Sequence, residues 1–163
     1  MEQLIKRAES LAKKKKYKEA FVLLEEAESR HIPIASYALA TWYLHGRYVK
    51  KDLQKGFEYL TKASKGDIKE AFYDLAVCYE KGSGTPKNLE KAFQNYLEAS
   101  LLGDKDSYYE IVRCLYYGIG VKKNKELSTL IYDKVFNLNR ASNSKRSSSR
   151  HFLSKKVPRL QYA

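Results

Sequence analysis

The sequence predicts an all-α protein built from stacked helix hairpins, and two observations support this. Residues of one type recur along the 163-residue chain at a constant spacing of 36, and the apolar residues inside each period follow the spacing of an amphipathic helix. The recurring sets are Gly46, Gly82 and Gly118; Ala27, Ala63 and Ala99; Phe21, Phe57 and Phe93; and Tyr37, Tyr73 and Tyr109. A fixed period of this length is typical of a repeat array, in which each unit buries its apolar face against the next.

The first 33 residues predict a shortened unit. Residues 17–32, YKEAFVLLEEAESRHI, match the second helix of a unit, and residues 1–15 supply a short first helix with an apolar stripe. A repeat array needs terminal units that have a more polar outer face. We therefore expect residues 1–33 to form a degenerate N-terminal capping unit.

Residues 34–138 predict three full units, each consisting of a helix, a turn and a second helix. The turns read GRYVKKD (46–52), GSGTPKN (82–88) and GIGVKKN (118–124). The leading glycines, Gly46, Gly82 and Gly118, supply the positive φ that ends a first helix, and the closing Asp or Asn caps the second one. The predicted helix pairs span 34–46 and 52–65, 69–82 and 88–102, and 106–118 and 124–138.

These units resemble the Sel-one-like repeat (SLR) family, a relative of the tetratricopeptide repeat. The resemblance covers about residues 17–138, and the second unit carries it most clearly as AFYDLAVCYEKGSGTPKNLEKAFQNYLEASLLG (71–103). Tyr48 replaces a loop glycine, Thr85 replaces a valine, and Leu127-Ser128 replace Lys-Ala, which suggests weakened repeats. The resemblance implies a right-handed α-solenoid that acts as an interaction scaffold and has no catalytic residues.

The composition excludes several other classes of protein. Three prolines and eight glycines disfavour a turn-rich all-β chain, and no run of 18 apolar residues could form a transmembrane helix. The opening MEQLIKRAESLAKKKK lacks the apolar core of a signal peptide, and two cysteines do not make a disulfide scaffold. We therefore expect a cytoplasmic protein.

No pattern of residues predicts an active site. The three histidines lie on different predicted elements, without carboxylates or cysteines at ligand spacing. Cys78 and Cys114 occupy the same place in two units, where small buried apolar residues are expected. The glycine pairs of the turns resemble phosphate loops, but their place inside a repeat favours turns between helices. We expect neither enzymatic activity nor a cofactor or metal.

Tyrosine is unusually frequent, with 14 residues. By analogy with the tetratricopeptide arrangement, Tyr37, Tyr73 and Tyr109 point into a concave groove, where tyrosine is a preferred binding anchor. The alternative is that they pack between neighbouring first helices. The predicted partner-binding residues are these three tyrosines, flanked by Glu70, Glu80, Asp106 and Arg113.

The segment 139–163 breaks the period. Residues 140–163 carry seven of the 31 basic residues and no acidic one, and the whole chain has a formal net charge of +12. The segment is either a flexible, solubilising tail or a basic clamp on an acidic protein, nucleic acid or an anionic membrane surface. The leading functional hypothesis is a protein-binding scaffold or adaptor. The alternatives are an inhibitor that neutralises a toxin or effector, and a nucleic-acid binder that uses the basic tail.

Overall fold

The computed structural model describes residues 2–138, with side chains from residue 3 to residue 135. This part of the chain forms eight α-helices and contains no β-strand, which confirms the predicted all-α fold. Each helical boundary in units two to four lies within one residue of its predicted position. The helices are α1 (Glu2–Lys13), α2 (Tyr17–Ser29), α3 (Pro33–His45), α4 (Leu53–Ser64), α5 (Lys69–Lys81), α6 (Leu89–Leu101), α7 (Lys105–Tyr117) and α8 (Lys125–Leu138).

The helices form four consecutive hairpins that stack along one axis. Each helix packs mainly against the helix before it and the helix after it, so α3 lies between α2 and α4, and α5 between α4 and α6. In the three full hairpins the first helix is odd-numbered and the second is even-numbered. Among the described residues, no helix has the length and apolar character needed to cross a membrane.

Local sequence explains where the helices begin and end. The side chains of Asp52 and Asn88 accept backbone N–H bonds of 3.0 and 2.9 Å at the start of α4 and α6, which satisfies an otherwise unpaired donor. The first helices end at Gly46, Gly82 and Gly118, whose φ angles are +67°, +72° and +77°. Glycine adopts this left-handed conformation without the steric penalty that a Cβ brings.

Small residues allow the second helices to approach the first helices closely. Ala20, Gly56, Ala92 and Ser128 recur at the 36-residue spacing and are all buried. A Cβ on Gly56 would come within 2.6 Å of the Leu44 side chain. Ser128 is fully buried, and its hydroxyl donates a 2.9 Å bond to the carbonyl of Val112. The unusual serine of the last unit therefore keeps the packing of the alanine it replaces.

The turns of the last two hairpins also lie against the start of the second helix in the preceding hairpin. A Cβ on Gly84 would overlap the carbonyl oxygen of Leu53 at the start of α4, and one on Gly120 would overlap that of Leu89 at the start of α6. In the first full unit the same place is occupied by Tyr48, which has a φ of +63°. Its ring lies 5.6 Å from that of Phe21 on α2. The side chain at this position therefore makes an aromatic contact with the N-terminal hairpin.

The basic segment 139–163 lies outside the described residues. Its predicted flexibility and its predicted role as a clamp therefore stay predictions, as does the division into a cap (1–33), repeats (34–138) and a tail (139–163).

Candidate functional site

The side of α3, α5 and α7 that carries the tyrosine ladder is the candidate site. We call it the tyrosine face, and it consists of Tyr37, Tyr73, Tyr109 and the two acidic residues Asp74 and Glu110. The tyrosines occupy equivalent positions in the three full units. Asp74 directly follows Tyr73 in the sequence, and Glu110 directly follows Tyr109.

The three ladder tyrosines differ in burial. Tyr37 is half-buried against the core between α3 and α5, and its hydroxyl donates a 3.2 Å bond to the Asp74 carboxylate. Tyr73 is half-buried in the next core, with its ring 5.6 Å from that of Tyr96. Tyr109 is 43% exposed. Tyr37 thus joins its unit to the next one, the ring of Tyr73 packs on the second helix of its own hairpin, and Tyr109 offers the largest accessible area.

Sequence reasoning missed the role of Asp74 and Glu110. Both lie one turn inside their helices, and Glu110 as a whole residue is only 9% exposed. Burial raises the pKa of Asp74 to about 6, although the hydrogen bond from Tyr37 lowers it. The available signal was a pair of acidic residues at the 36-residue spacing beside a ladder of tyrosines.

Arg113 and Glu80 form the centre of a hydrogen-bond network that connects α5, α6 and α7. The Nε of Arg113 donates a 2.6 Å bond to Glu110, and its Nη2 donates bonds of 2.8 Å to both carboxylate oxygens of Glu80 on α5. Glu80 also accepts a 3.0 Å bond from the hydroxyl of Tyr96 on α6. Burial lowers the pKa of Arg113, but the two carboxylates raise it by more, so the guanidinium stays charged.

The predicted site residues therefore fall into two groups. Glu80 and Arg113 bind each other and link α5 to α7. Glu70 and Asp106 are exposed in the first turns of α5 and α7, where nothing in the structure draws them into that network. Glu70 raises the pKa of Asp74 by its charge, as does Asp104, so this end of the tyrosine face is acidic.

The described residues show no arrangement suited to metal or thiol chemistry. No group of three or more His, Cys, Asp or Glu side chains lies close enough together in residues 3–135 to hold a metal ion. Cys78 and Cys114 are both free and buried. Burial raises the pKa of their thiols to about 11 and about 12, so both are protonated at neutral pH and are poor nucleophiles.

The parent protein should lose stability as the pH rises because Asp74 loses its proton, and Asp74→Asn should remove this loss. An aspartate in the unfolded chain has a pKa of about 3.9, so the folded protein binds this proton more tightly. The contribution of Asp74 is fully present below about pH 4 and is lost as the pH rises through about 6. We expect the unfolding free energy of the parent protein, relative to the variant, to fall by about 2 kcal/mol between pH 4 and pH 6, out of about 3 kcal/mol over the whole titration. Urea unfolding at the two pH values measures this difference, and parallel pH profiles would contradict it.

The chain is similar to a known repeat family over most of its described length. A family model described as Sel1 repeat matches residues 33–68, 69–104 and 107–130. The first two segments cover the second and third hairpins, and the last covers α7 and the first part of α8. No curated protein matches the chain.

Three solved structures are similar to the chain. A Sel1 repeat protein from Oxalobacter formigenes is 25% identical, with a TM-score of 0.75, over 82% of this chain and 55% of its own. A protective antigen of uropathogenic Escherichia coli with an SLR fold is 22% identical, with a TM-score of 0.71, over 75% of this chain and 26% of its own, and supports the fold alone. Helicobacter pylori cysteine rich protein B is 26% identical, with a TM-score of 0.53, over 73% of this chain and 90% of its own. The chain thus spans about half or less of the length of the first two of these proteins.

Proposed function

Because this chain belongs to the Sel1 repeat family, we propose that it is a non-enzymatic scaffold or adaptor that binds a partner protein on its tyrosine face. Proteins of this family are in general protein-interaction scaffolds. The free, protonated thiols are compatible with a reducing compartment, and we propose the cytoplasm.

The observation that carries the proposal is the tyrosine ladder. Tyr37, Tyr73 and Tyr109 occupy equivalent positions on the first helices of the three full units, and ordinary helix-packing distances imply steps of about 10 Å between them. A row of this kind suits an extended segment or a helix that touches each unit once. Tyrosine contributes a large contact area at a low cost in side-chain entropy.

The charges around the ladder favour a basic partner segment. Glu70, Asp104 and Asp106 lie at one end of the tyrosine face, and Asp74 lies within it. The Arg113 guanidinium is already neutralised by two carboxylates. A partner that places Lys or Arg near Glu70 and Asp106, and an apolar side chain against Tyr109, would complement this surface.

Tyr73→Ala tests the proposal because Tyr73 is the central member of the ladder. We expect the variant to bind the partner more weakly by about 2 kcal/mol or more. The partner is first captured by the full-length chain and identified by mass spectrometry, and its affinity is then measured by calorimetry. A partner that is itself a toxin or effector would support the narrower function of an inhibitor.

A matched control separates binding from stability. Tyr59 on α4 is half-buried like Tyr73 but stacks on Tyr43, which is not a member of the ladder. Tyr59→Ala and Tyr73→Ala should lower the melting temperature by comparable amounts, and only Tyr73→Ala should weaken binding. A drop in melting temperature for Tyr73→Ala with unchanged affinity would mean that the ladder serves packing and that the partner binds elsewhere.

A further inference from the structure

The turns inside the four hairpins lie along one edge of the molecule, which we call the turn edge (residues 14–16, 46–52, 82–88 and 118–124). The contacts of Gly84 with Leu53 and of Gly120 with Leu89 place each turn directly against the previous hairpin. At the N-terminal end, Lys13 and Arg47 line one cavity of about 330 Å³ between α1, α2 and α3. The turn edge is therefore continuous from the first hairpin to the last.

This edge is strongly basic. Its loops contain a single acidic residue, Asp52, and that carboxylate already caps α4. The loops on the opposite edge, between one hairpin and the next, carry Arg30 and Lys65 against Asp67 and Asp104, and are balanced. The basic residues of the turn edge are Lys14, Lys15, Lys16, Arg47, Lys50, Lys51, Lys87, Lys122 and Lys123, all exposed.

One lysine recurs in every hairpin at an equivalent place. Lys15, Lys51, Lys87 and Lys123 follow the 36-residue period. In the three full units the next residue donates its backbone N–H to a carbonyl in the last turns of the first helix, at 2.9, 2.8 and 2.8 Å. The turns thus share one conformation, and their lysines form a row with steps of about 10 Å.

The charges of this row are available to a ligand. Of the nine basic residues in the edge loops, only Lys16 makes an ion pair within the described part of the chain, with Glu19 at 3.2 Å. Two aromatic rings stand on the same edge: Tyr48 is 51% exposed in the first full turn, and Tyr117 is 53% exposed where α7 ends.

We infer that the turn edge binds single-stranded nucleic acid without sequence preference. Evenly spaced lysines complement a backbone whose negative charges are also evenly spaced, and lysine contacts phosphate as a point charge. Half-exposed tyrosines between basic clusters are platforms on which unpaired bases stack. An acidic protein segment would match the charge but would make no use of this regularity. The inference does not depend on the proposed function, because the tyrosine face and the turn edge are different surfaces.

The test compares two triple variants of the full-length chain. The edge variant is Lys51→Glu, Lys87→Glu and Lys123→Glu; the control is Lys65→Glu, Lys105→Glu and Lys134→Glu, at exposed positions of the opposite edge. Both variants change the net charge equally and keep the basic segment 139–163. Fluorescence anisotropy with labelled oligothymidine, over a series of salt concentrations, reports binding. Melting curves, together with the milder Lys→Gln version of the edge variant, check that each protein is folded.

We expect the parent protein and the control to bind, and the edge variant to bind at least tenfold more weakly. Removing three phosphate contacts should reduce the slope of log K against log salt by about 2. Equal losses in both variants would assign the binding to net charge or to the basic segment and overturn the inference. Failure of the parent protein to bind at low salt would overturn it as well. Edge-dependent binding of phosphatidylserine vesicles without binding of oligothymidine would also overturn it, in favour of a membrane surface.

Discussion

Gly84→Ala is expected to destabilise the protein by about 2–5 kcal/mol, a large share of the stability of a domain of this size. Two effects add. The φ of Gly84 is +71°, where an L-residue with a side chain is strained by about 1–2 kcal/mol. The new methyl group would also overlap the carbonyl of Leu53, so two hairpins would have to separate, and overpacking of this kind costs about 1–3 kcal/mol.

Gly103→Ala is the matched control for this prediction. Gly103 has a φ of +86°, but a Cβ there has no atom within 4 Å. The control therefore measures the backbone strain alone, and we expect a loss of about 1–2 kcal/mol. Urea unfolding of both variants gives the comparison. If Gly84→Ala lowers the free energy of unfolding no more than Gly103→Ala does, the close contact between Gly84 and Leu53 does not stabilise the fold.

Arg113→Ala is expected to cost about 3 kcal/mol. The side chains of Arg113 and Glu110 are 17% and 12% exposed, so removing the guanidinium leaves a carboxylate mostly out of water without its counterion. Breaking a buried pair in this way costs about 3–5 kcal/mol, and the 26% exposure of the Glu80 side chain places the expectation at the lower end. Chemical unfolding measures the loss.

Two further variants show whether the loss comes from the orphaned charge. Glu110→Gln in the Arg113→Ala background should recover part of the stability, because a neutral amide tolerates burial better than a carboxylate. Arg30→Ala removes the exposed pair with Glu26, whose side chains are 56% and 42% exposed, and should cost less than about 1 kcal/mol. A similar cost for Arg30→Ala and Arg113→Ala would contradict the role of burial.

The sequence was sufficient to predict the hairpins but not the details of the tyrosine face. Turn glycines and capping residues act locally, so the 36-residue period and the positions of Asp52 and Asn88 predict the helix ends closely. The pairing of Glu80 with Arg113 joins residues from two units and depends on side-chain directions across an interface. The partial burial of Tyr37, which donates a hydrogen bond to Asp74 of the next unit, has the same origin. Equivalent positions in a repeat share a backbone geometry, but their neighbours differ.

The requirement for glycine at position 84 also arises from a contact between two units, which the sequence of one unit does not reveal. The segment GSGTPKN predicts a turn, and its first glycine ends α5 as such a turn demands. That the second glycine lies against the backbone of the preceding hairpin follows only from the stacking of units. Tyr48 shows that the same position carries an aromatic residue where the preceding hairpin offers the Phe21 ring.

Each helix packs almost entirely against its neighbours along the chain. The stability of one hairpin therefore depends mainly on the hairpins directly before and after it. The α5–α6 hairpin is supported from both sides, whereas α8 has a described neighbour on one side only and leaves Leu127 and Leu130 40% and 52% exposed. Opening should therefore begin at an end hairpin and travel inward, one unit at a time. Slow amide hydrogen exchange would concentrate in the central helices, and the terminal hairpins would fray at a smaller cost in free energy than global unfolding requires.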